Sequence, residues 1–511
     1  MSPEDLIAVL PEAILTVVAT AVMLLAAFRT KGKEEWCGFV TLLGLLAAMA
    51  ALILQWPPQG PAFDGMVLAD PFSFFFHLLF LGIAILIVLS SASYLRQERL
   101  AAGEYYALLL FATAGMGLMA AANDLILSFI GLEISSLSSY VLVGFRRRVA
   151  ISSESALKYF LLGSFATAFL LYGIALLFGA TGTTRLTVIR EVLRGGLNPV
   201  TAGNSTEGIV GGSPVLLPAA AQLGGEVPTS LIALAIGLIF VGLAFKVSAA
   251  PFQVWTPDVY QGAPTPVTAF LATGSKAAAF ALFLRVFTVA LDGAVYPWPS
   301  LLWVSAVLSM FVGNLAALWQ SNMKRLLAYS SIAHAGYMLV AFTANSAEGV
   351  ATVMFYLVAY ALMNLGAFAV IAHMGNQGER YVAIEDYAGL GFRSPVLAGC
   401  LSVCLLSLIG IPLTGGFLGK FYVFRAALRS DLLGLTVLGV LNSAIAAYYY
   451  LKVLVAMYMS EPTREVPAPP VPAAVACVLA VCAGGTLLLG IAPQSVLNFA
   501  LYAAQWLQGR M

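Results

Sequence analysis

The sequence predicts an all-α polytopic membrane protein of about fourteen transmembrane helices, with two inverted five-helix repeats and discontinuous helices 7 and 12. Three observations carry that prediction. First, 61% of the 511 residues are hydrophobic and 10% are charged, against roughly 25% charged in soluble domains. Second, stretches such as Leu15 to Phe28, Phe75 to Val88 and Leu231 to Phe245 hold no Asp, Glu, Lys or Arg. Extended by their flanks to about 20 residues, they read as membrane spans. Third, two otherwise apolar segments carry clusters of proline and glycine. A net charge of +1 gives no sign of a nucleic-acid partner.

Taken in order, the apolar segments run over 4–28, 34–55, 71–95, 104–122, 124–143, 153–179, 230–262, 265–290, 300–320, 323–343, 348–375, 394–430, 432–458 and 471–492. Residues 1–103 then hold helices 1–3, and 104–290 the first five-helix repeat. The second, inverted repeat occupies 300–458, and 459–511 hold helix 14. The insert 180–229, rich in Gly, Pro, Ser and Thr, predicts a flexible extramembrane loop. The N-terminus, MSPEDLIAVLPEAIL, lacks the basic region of a cleaved signal, so the first helix is expected to stay as an anchor. Cys37, Cys400, Cys404, Cys477 and Cys482 form no C-x-x-C pair, which argues against an iron–sulfur or zinc site.

Loop charges set the orientation. Thirteen Lys and Arg fall on one side: Arg29, Lys31, Lys33, Arg96, Arg99, Arg146, Arg147, Arg148, Lys324, Arg325, Arg380, Arg393 and Arg464. The other side receives six, three of them in the long insert. The richer side is expected to be cytoplasmic, and with an even number of spans both termini face outward.

Six basic residues remain inside spans: Lys158, Lys246, Lys276, Arg285, Lys420 and Lys452. A charge at the centre of a spanning helix costs about 2.5–3.5 kcal/mol. Such residues are paired, hydrated or neutral part of the time, and the last of these is what a proton relay requires. Lys246, Lys276 and Lys420 lie deepest, and Glu133 is a natural partner for a lysine. For each, the plainer reading is a structural salt bridge. Lys158 lies within snorkelling reach of the interface, and Lys452 and Arg285 read as interface anchors. His334 could carry protons, although a lone helical His often only packs; His77 and His373 carry less weight.

The seventh span reads KVSAAPFQVWTPDVYQGAPTPV and the twelfth SLIGIPLTGGFLGKFYVF. Pro251 and Pro412 each remove a donor and clash with the preceding turn. Freed backbone is tolerated at membrane depth only inside protein or beside a wet cavity. Five helices apart, the two breaks lie in helices of opposite direction, which points to an inverted repeat. Half-helix ends would then bring dipoles and free carbonyls to Lys246 and Lys420. The segment GGFLGKF is no phosphate loop, since Thr414 and Phe421 stand where Gly and Ser or Thr are needed.

Three segments, GLEISSLSSYVLVGF (131–145), ESALKYFLLGSF (154–165) and FKVSAAPFQVWTPDVYQGAPTPV (245–267), carry a family resemblance. The chain resembles the antiporter-like membrane subunits of respiratory complex I, an NADH–quinone oxidoreductase. The lysine of the twelfth helix and the lack of a lateral helix after the fourteenth span fit the N type, the counterpart of mitochondrial subunit 2. The resemblance implies that Glu133, Lys158, Lys246, Lys276 and Lys420 lie on a central hydrophilic axis. It implies no cofactor in this chain, with FMN, iron–sulfur clusters and quinone at the level of the complex. The implied partners are other membrane subunits, lipid, protons and water. Gln253 departs from the family, which commonly has His there; Gln cannot titrate.

Two other functions are open at this level. A cation/proton antiporter subunit would share the fold and the lysines, and co-purifying flavin and iron–sulfur subunits separate it from the oxidoreductase. A purely structural membrane subunit would tolerate replacement of the lysines without loss of pumping.

Overall fold

A computed structural model describes residues 3–28, 35–58, 60–194, 207–210, 213–216, 229–292, 298–462, 466–467 and 470–509. The spans are α1 (Leu10–Ala27), α2 (Glu35–Leu54), α3 (Pro71–Glu98), α4 (Ala102–Ala121), α5 (Leu125–Val143) and α6 (Ala150–Thr181). The broken seventh span is α7 (Thr229–Val247) followed by α8 (Thr256–Gly262), and α9 covers Thr265–Ala290. Then come α10 (Trp298–Leu318), α11 (Met323–Thr343) and α12 (Ala347–Met374). The broken twelfth is α13 (Pro395–Ile409) and α14 (Gly415–Arg429), followed by α15 (Leu433–Met459), α16 (Ala473–Ile491) and the short α17 (Gln494–Leu507). Thirteen helices among the described residues are long and apolar enough to cross a membrane; the broken α13/α14 pair makes the fourteenth.

Local chemistry sets several helix starts. Asp70 and Ser73 cap α3 reciprocally, each side chain accepting from the other's backbone N–H at 2.7 and 3.0 Å. Asp124 accepts from Ile126 and Leu127 at the start of α5, and Asn322 from Lys324 and Arg325 at the start of α11. These caps satisfy N–H groups that a helix start leaves open.

Burial is uneven. The best apolar windows of α9, α11 and α12 are 94%, 94% and 89% buried, whereas those of α1, α2, α15 and α16 are 28–33% buried. The outer helices expose Leu, Val and Phe, as a lipid-facing surface does. The inner three have no lipid face, so polar residues on them meet protein; Lys276, His334 and Asn364 all sit there.

The insert 180–229 is less plain than a flexible loop. Helix α6 extends to Thr181, and Leu186–Leu193 forms a further helix with Leu186, Val188 and Ile189 buried. Glu207–Val210 pairs antiparallel with Ser213–Leu216. Residues 195–206, 211–212 and 217–228 lie outside the described residues, as do Arg29, Lys31, Lys33, Arg464 and Arg510 from the charge count.

Candidate functional site

The two breaks have related construction. After α7, Ser248 takes a left-handed conformation (φ 63°), which costs a non-glycine residue. The backbone freed there is satisfied by α10: Ser309 Oγ accepts from Ala250 N at 2.8 Å, and Ser305 Oγ donates to Ala250 O at 2.7 Å. Trp255 Nε1 donates to Phe245 O at 3.1 Å. After α13, Gly410 (φ 95°) and Leu413 (φ 70°) turn the chain. A Cβ on Gly416 would stand 2.0 Å from Ser407 O, so only glycine fits that approach. Ser407 Oγ accepts from Gly416 N at 3.0 Å.

Lys420 sits where the second break leaves carbonyls free. Its Nζ donates to Leu408 O at 3.1 Å, Ile409 O at 2.8 Å and Ser443 Oγ at 2.9 Å, and lies 4.9 Å from the Tyr337 ring centroid. Lys246 differs from the expectation of free carbonyls at a half-helix end. In the last turn of α7, it donates to hydroxyls of α5, Ser136 Oγ at 2.7 Å and Tyr140 Oη at 3.2 Å. The last carbonyls of α7 are already met, Ala244 O by Ala249 N and Phe245 O by Ser248 N and Trp255 Nε1, so the ammonium reaches sideways.

Glu133 shares a helical face with Ser136 and Tyr140, three and seven residues on. It forms no ion pair among the described residues, and its Oε1 is buried without a hydrogen-bond partner. The lysine partner expected for Glu133 is not found, and Lys246 meets two hydroxyls of the same α5 face instead. Tyr140 is held edge-on by Tyr159, and a Cβ on Gly163 would stand 2.2 Å from its hydroxyl.

Lys276 lies on α9 directly after a π-helical turn, Leu271–Ser275; such turns recur at functional sites. It is 1% exposed, and its Nζ donates to Ser331 O at 2.8 Å and Ser331 Oγ at 2.5 Å. Helix α11 carries the next polar groups. His334 Nδ1 lies 2.7 Å from Tyr356 Oη and Nε2 lies 3.3 Å from Tyr450 Oη, which also meets Ser330 Oγ. The Tyr337 ring packs edge-on against His334 and faces Lys420. Ser331, Ser330, His334 and Tyr337, spaced along two turns of α11, therefore lie between Lys276 and Lys420, with Ser331 on the one and the Tyr337 ring beside the other. Their signal in the sequence was the run YSSIAHAGY, of which only His334 drew notice.

Four further buried polar atoms have no protein partner: Ser248 Oγ, Gln253 Oε1 and Thr256 Oγ1 in the break of the seventh span, and Ser275 Oγ beside Lys276. Buried polar atoms of this kind bind water.

The remaining charges are compensated. Lys158 is 44% exposed at its side chain and pairs with Glu154 and Asp258, each at 2.8 Å. Asp258 also pairs with Arg325 at 2.8 Å. Arg285 is a correction: it is 1% exposed, not an interface anchor, and forks onto both Asp70 oxygens at 2.9 Å while stacking on Phe72. Lys452 is exposed. His77 joins Glu12 at 2.6 Å in a buried pair among α1, α3 and α4.

Lys324, placed by sequence in a loop, is 1% exposed. It donates to Ala263 O at 2.6 Å, the carbonyl just past α8, and pairs with Glu379 at 2.9 Å. Glu379, in the left-handed region (φ 51°), also receives Arg146 at 2.9 Å, Tyr94 Oη at 2.8 Å, and Thr265 N and Oγ1 at 2.7 and 2.6 Å. Burial pushes its carboxyl up, but Lys324 and Arg146 outweigh this and hold it at about 2.

The chain is similar to known proteins over nearly its whole length. Residues 122–446 match the family described as NADH:quinone oxidoreductase/Mrp antiporter, transmembrane. NADH-quinone oxidoreductase subunit N 1 of Solibacter usitatus is 49% identical, with 98% of each chain covered. Subunit N 2 of Koribacter versatilis is 50% identical over 98% of this chain and 97% of its own. A chain of respiratory complex I from Thermus thermophilus is 40% identical with a TM-score of 0.78, covering 96% of this chain and 99% of that one. A chain of the Mrp complex from Dietzia sp. shares the fold, with a TM-score of 0.81, 20% identity, and 100% and 98% coverage.

Proposed function

The chain belongs to the NADH:quinone oxidoreductase/Mrp antiporter transmembrane family, and on that premise we propose that it is the proton-translocating membrane subunit N of an NADH–quinone oxidoreductase. The carrying observation is that Lys246, Lys276 and Lys420 have only neutral partners: hydroxyls and backbone carbonyls. Lys276 and Lys420 are buried without a counter-charge, which is costly for an ammonium, and Lys246 is part-buried with hydroxyls alone, so a change in a neighbouring charge acts strongly on each. A lysine held by serine and tyrosine hydroxyls can pass a proton on, since those groups both accept and donate.

The proposed path runs in the membrane plane. A change of charge at Glu133, on the α5 face that holds Lys246, alters the proton occupancy of Lys246. Water at Ser248, Gln253, Thr256 and Ser275 joins Lys246 to Lys276; Gln253 serves there as a hydrogen-bonding group without titrating. Ser331, Ser330, His334 and Tyr337 then lead to Lys420. Lys158, salt-bridged near the surface, stands outside the series as a fixed charge beside Asp258. The two breaks, one in 104–290 and one in 300–458, support the reading of these segments as inverted repeats, with 1–103 and 459–511 outside them.

At the level of the complex, FMN, iron–sulfur clusters and quinone would supply the redox energy from other subunits. The charge bias supports both termini on the periplasmic side of the inner membrane. The test is Lys246→Ala and Glu133→Ala in the intact complex, reconstituted in proteoliposomes. Both variants should assemble and lose NADH-driven proton translocation; normal pumping by both would overturn the path.

A further inference from the structure

At the arginine-rich end of the bundle, α2, α3, α4 and α5 line a half-open cavity of about 1280 Å³. That exceeds the ~300–1,000 Å³ that holds a drug-sized ligand. Its floor carries Arg96, Arg99, Arg146, Arg147 and Arg148, against two carboxylates, Glu98 and Glu104. Glu98 is already engaged, accepting from Gly378 N at 2.5 Å. Above the arginines the walls are apolar, with Phe39, Leu42, Val88, Leu89 and Val141 lining them.

Arg146 gives the cavity its chemistry. The residue is 6% exposed, and its Nη2 is spent on Glu379. Its Nε and Nη1 are buried without any hydrogen-bond partner. Leaving such guanidinium donors unmet is costly, and the charged oxygens of a phosphate are their strongest acceptors.

We propose that this cavity is a binding site for an anionic phospholipid, its phosphate on Arg146 and the neighbouring arginines and its acyl chains along α2, α3 and α5. The height of the site supports a lipid. It lies where α3 and α5 end and α4 begins, the level of the headgroups for helices of this length. A net basic pocket between membrane helices suits such a headgroup. The apolar side chains along its walls distinguish it from a site for a free anion. Because Arg146 also holds Glu379, the lipid would brace the buried ion cluster that touches the end of α8 and the start of α9.

The experiment uses the whole complex in its native membrane. Phe39, 62% exposed, is replaced by photoreactive benzoylphenylalanine, the membranes are irradiated, and the adduct is identified by mass spectrometry. The expected adduct is a phospholipid, enriched in phosphatidylglycerol or cardiolipin over phosphatidylethanolamine. In the Arg147→Gln/Arg148→Gln double variant, two exposed charges are gone, and recovery of the anionic adduct should fall about tenfold. An adduct to another protein subunit, an adduct without headgroup preference, or loss of the adduct on adding inorganic phosphate alone would each overturn the proposal.

Discussion

Lys276 and Lys324 are equally buried, each 1% exposed, yet their surroundings are opposite. Lys324 belongs to an ion cluster in which Glu379 is met by two cations, a tyrosine and a threonine. Lys276 has one serine. Equal burial thus goes with opposite surroundings, and what separates the two lysines is the presence of a counter-charge. A lysine paired with a buried carboxylate is held in place by it and serves to fix structure. A row of uncompensated lysines responds to each charge that appears beside it.

Breaking the compensated side should produce the largest effect on stability. Glu379→Ala leaves Lys324 and Arg146 buried and unpaired, which costs about 3–5 kcal/mol. Thermal unfolding of the detergent-solubilised complex should show the loss. Lys324→Met should be nearly as damaging, because it strips Glu379 of one cation and Ala263 O of its donor. Gly416→Ala comes next, at about 1–3 kcal/mol, because the new methyl meets backbone, not a movable side chain; loss of assembled complex on native gels measures it.

A pH series sharpens the contrast. Glu379 is held at about 2, below its ordinary 4.5. A carboxylate depressed on folding stabilises fully above its unfolded value and loses that contribution as pH falls toward the folded one. Melting temperature should consequently show no inflection assignable to Glu379 between pH 5 and 8, and a fall only below about 4.5. A Glu379-dependent inflection near neutrality would place it with the relay groups.

The smallest structural effects belong to the relay. Gly163→Ala pushes the Tyr140 hydroxyl away from Lys246; pumping should drop severalfold with little change in melting temperature. Lys276→Met replaces an uncompensated charge by an apolar chain of similar length, so stability should be unchanged or higher.

The same contrast explains what could be read from the sequence. Charges inside apolar runs and proline–glycine breaks are local signals, so the spans, both discontinuous helices and Lys246, Lys276 and Lys420 were legible. The partners were not. Glu379 lies in NQGERYV, which reads as a surface turn, and its contacts come from 55, 114, 233 and 285 residues away. Arg285 passed for an anchor because Asp70 stands 215 residues earlier. A lysine partner for Glu133 follows from charge alone, whereas Ser136 and Tyr140 occupy the space beside the Lys246 ammonium. Serines and tyrosines on buried helices carry no mark in composition that separates a relay hydroxyl from a packing one.

The central claim is that the uncompensated lysines carry the proton. Its most direct test is the number of protons moved per NADH oxidised by the intact complex bearing Lys276→Met in proteoliposomes, alongside its melting temperature. Lost proton translocation with unimpaired stability is the predicted result; an unchanged proton ratio would contradict it.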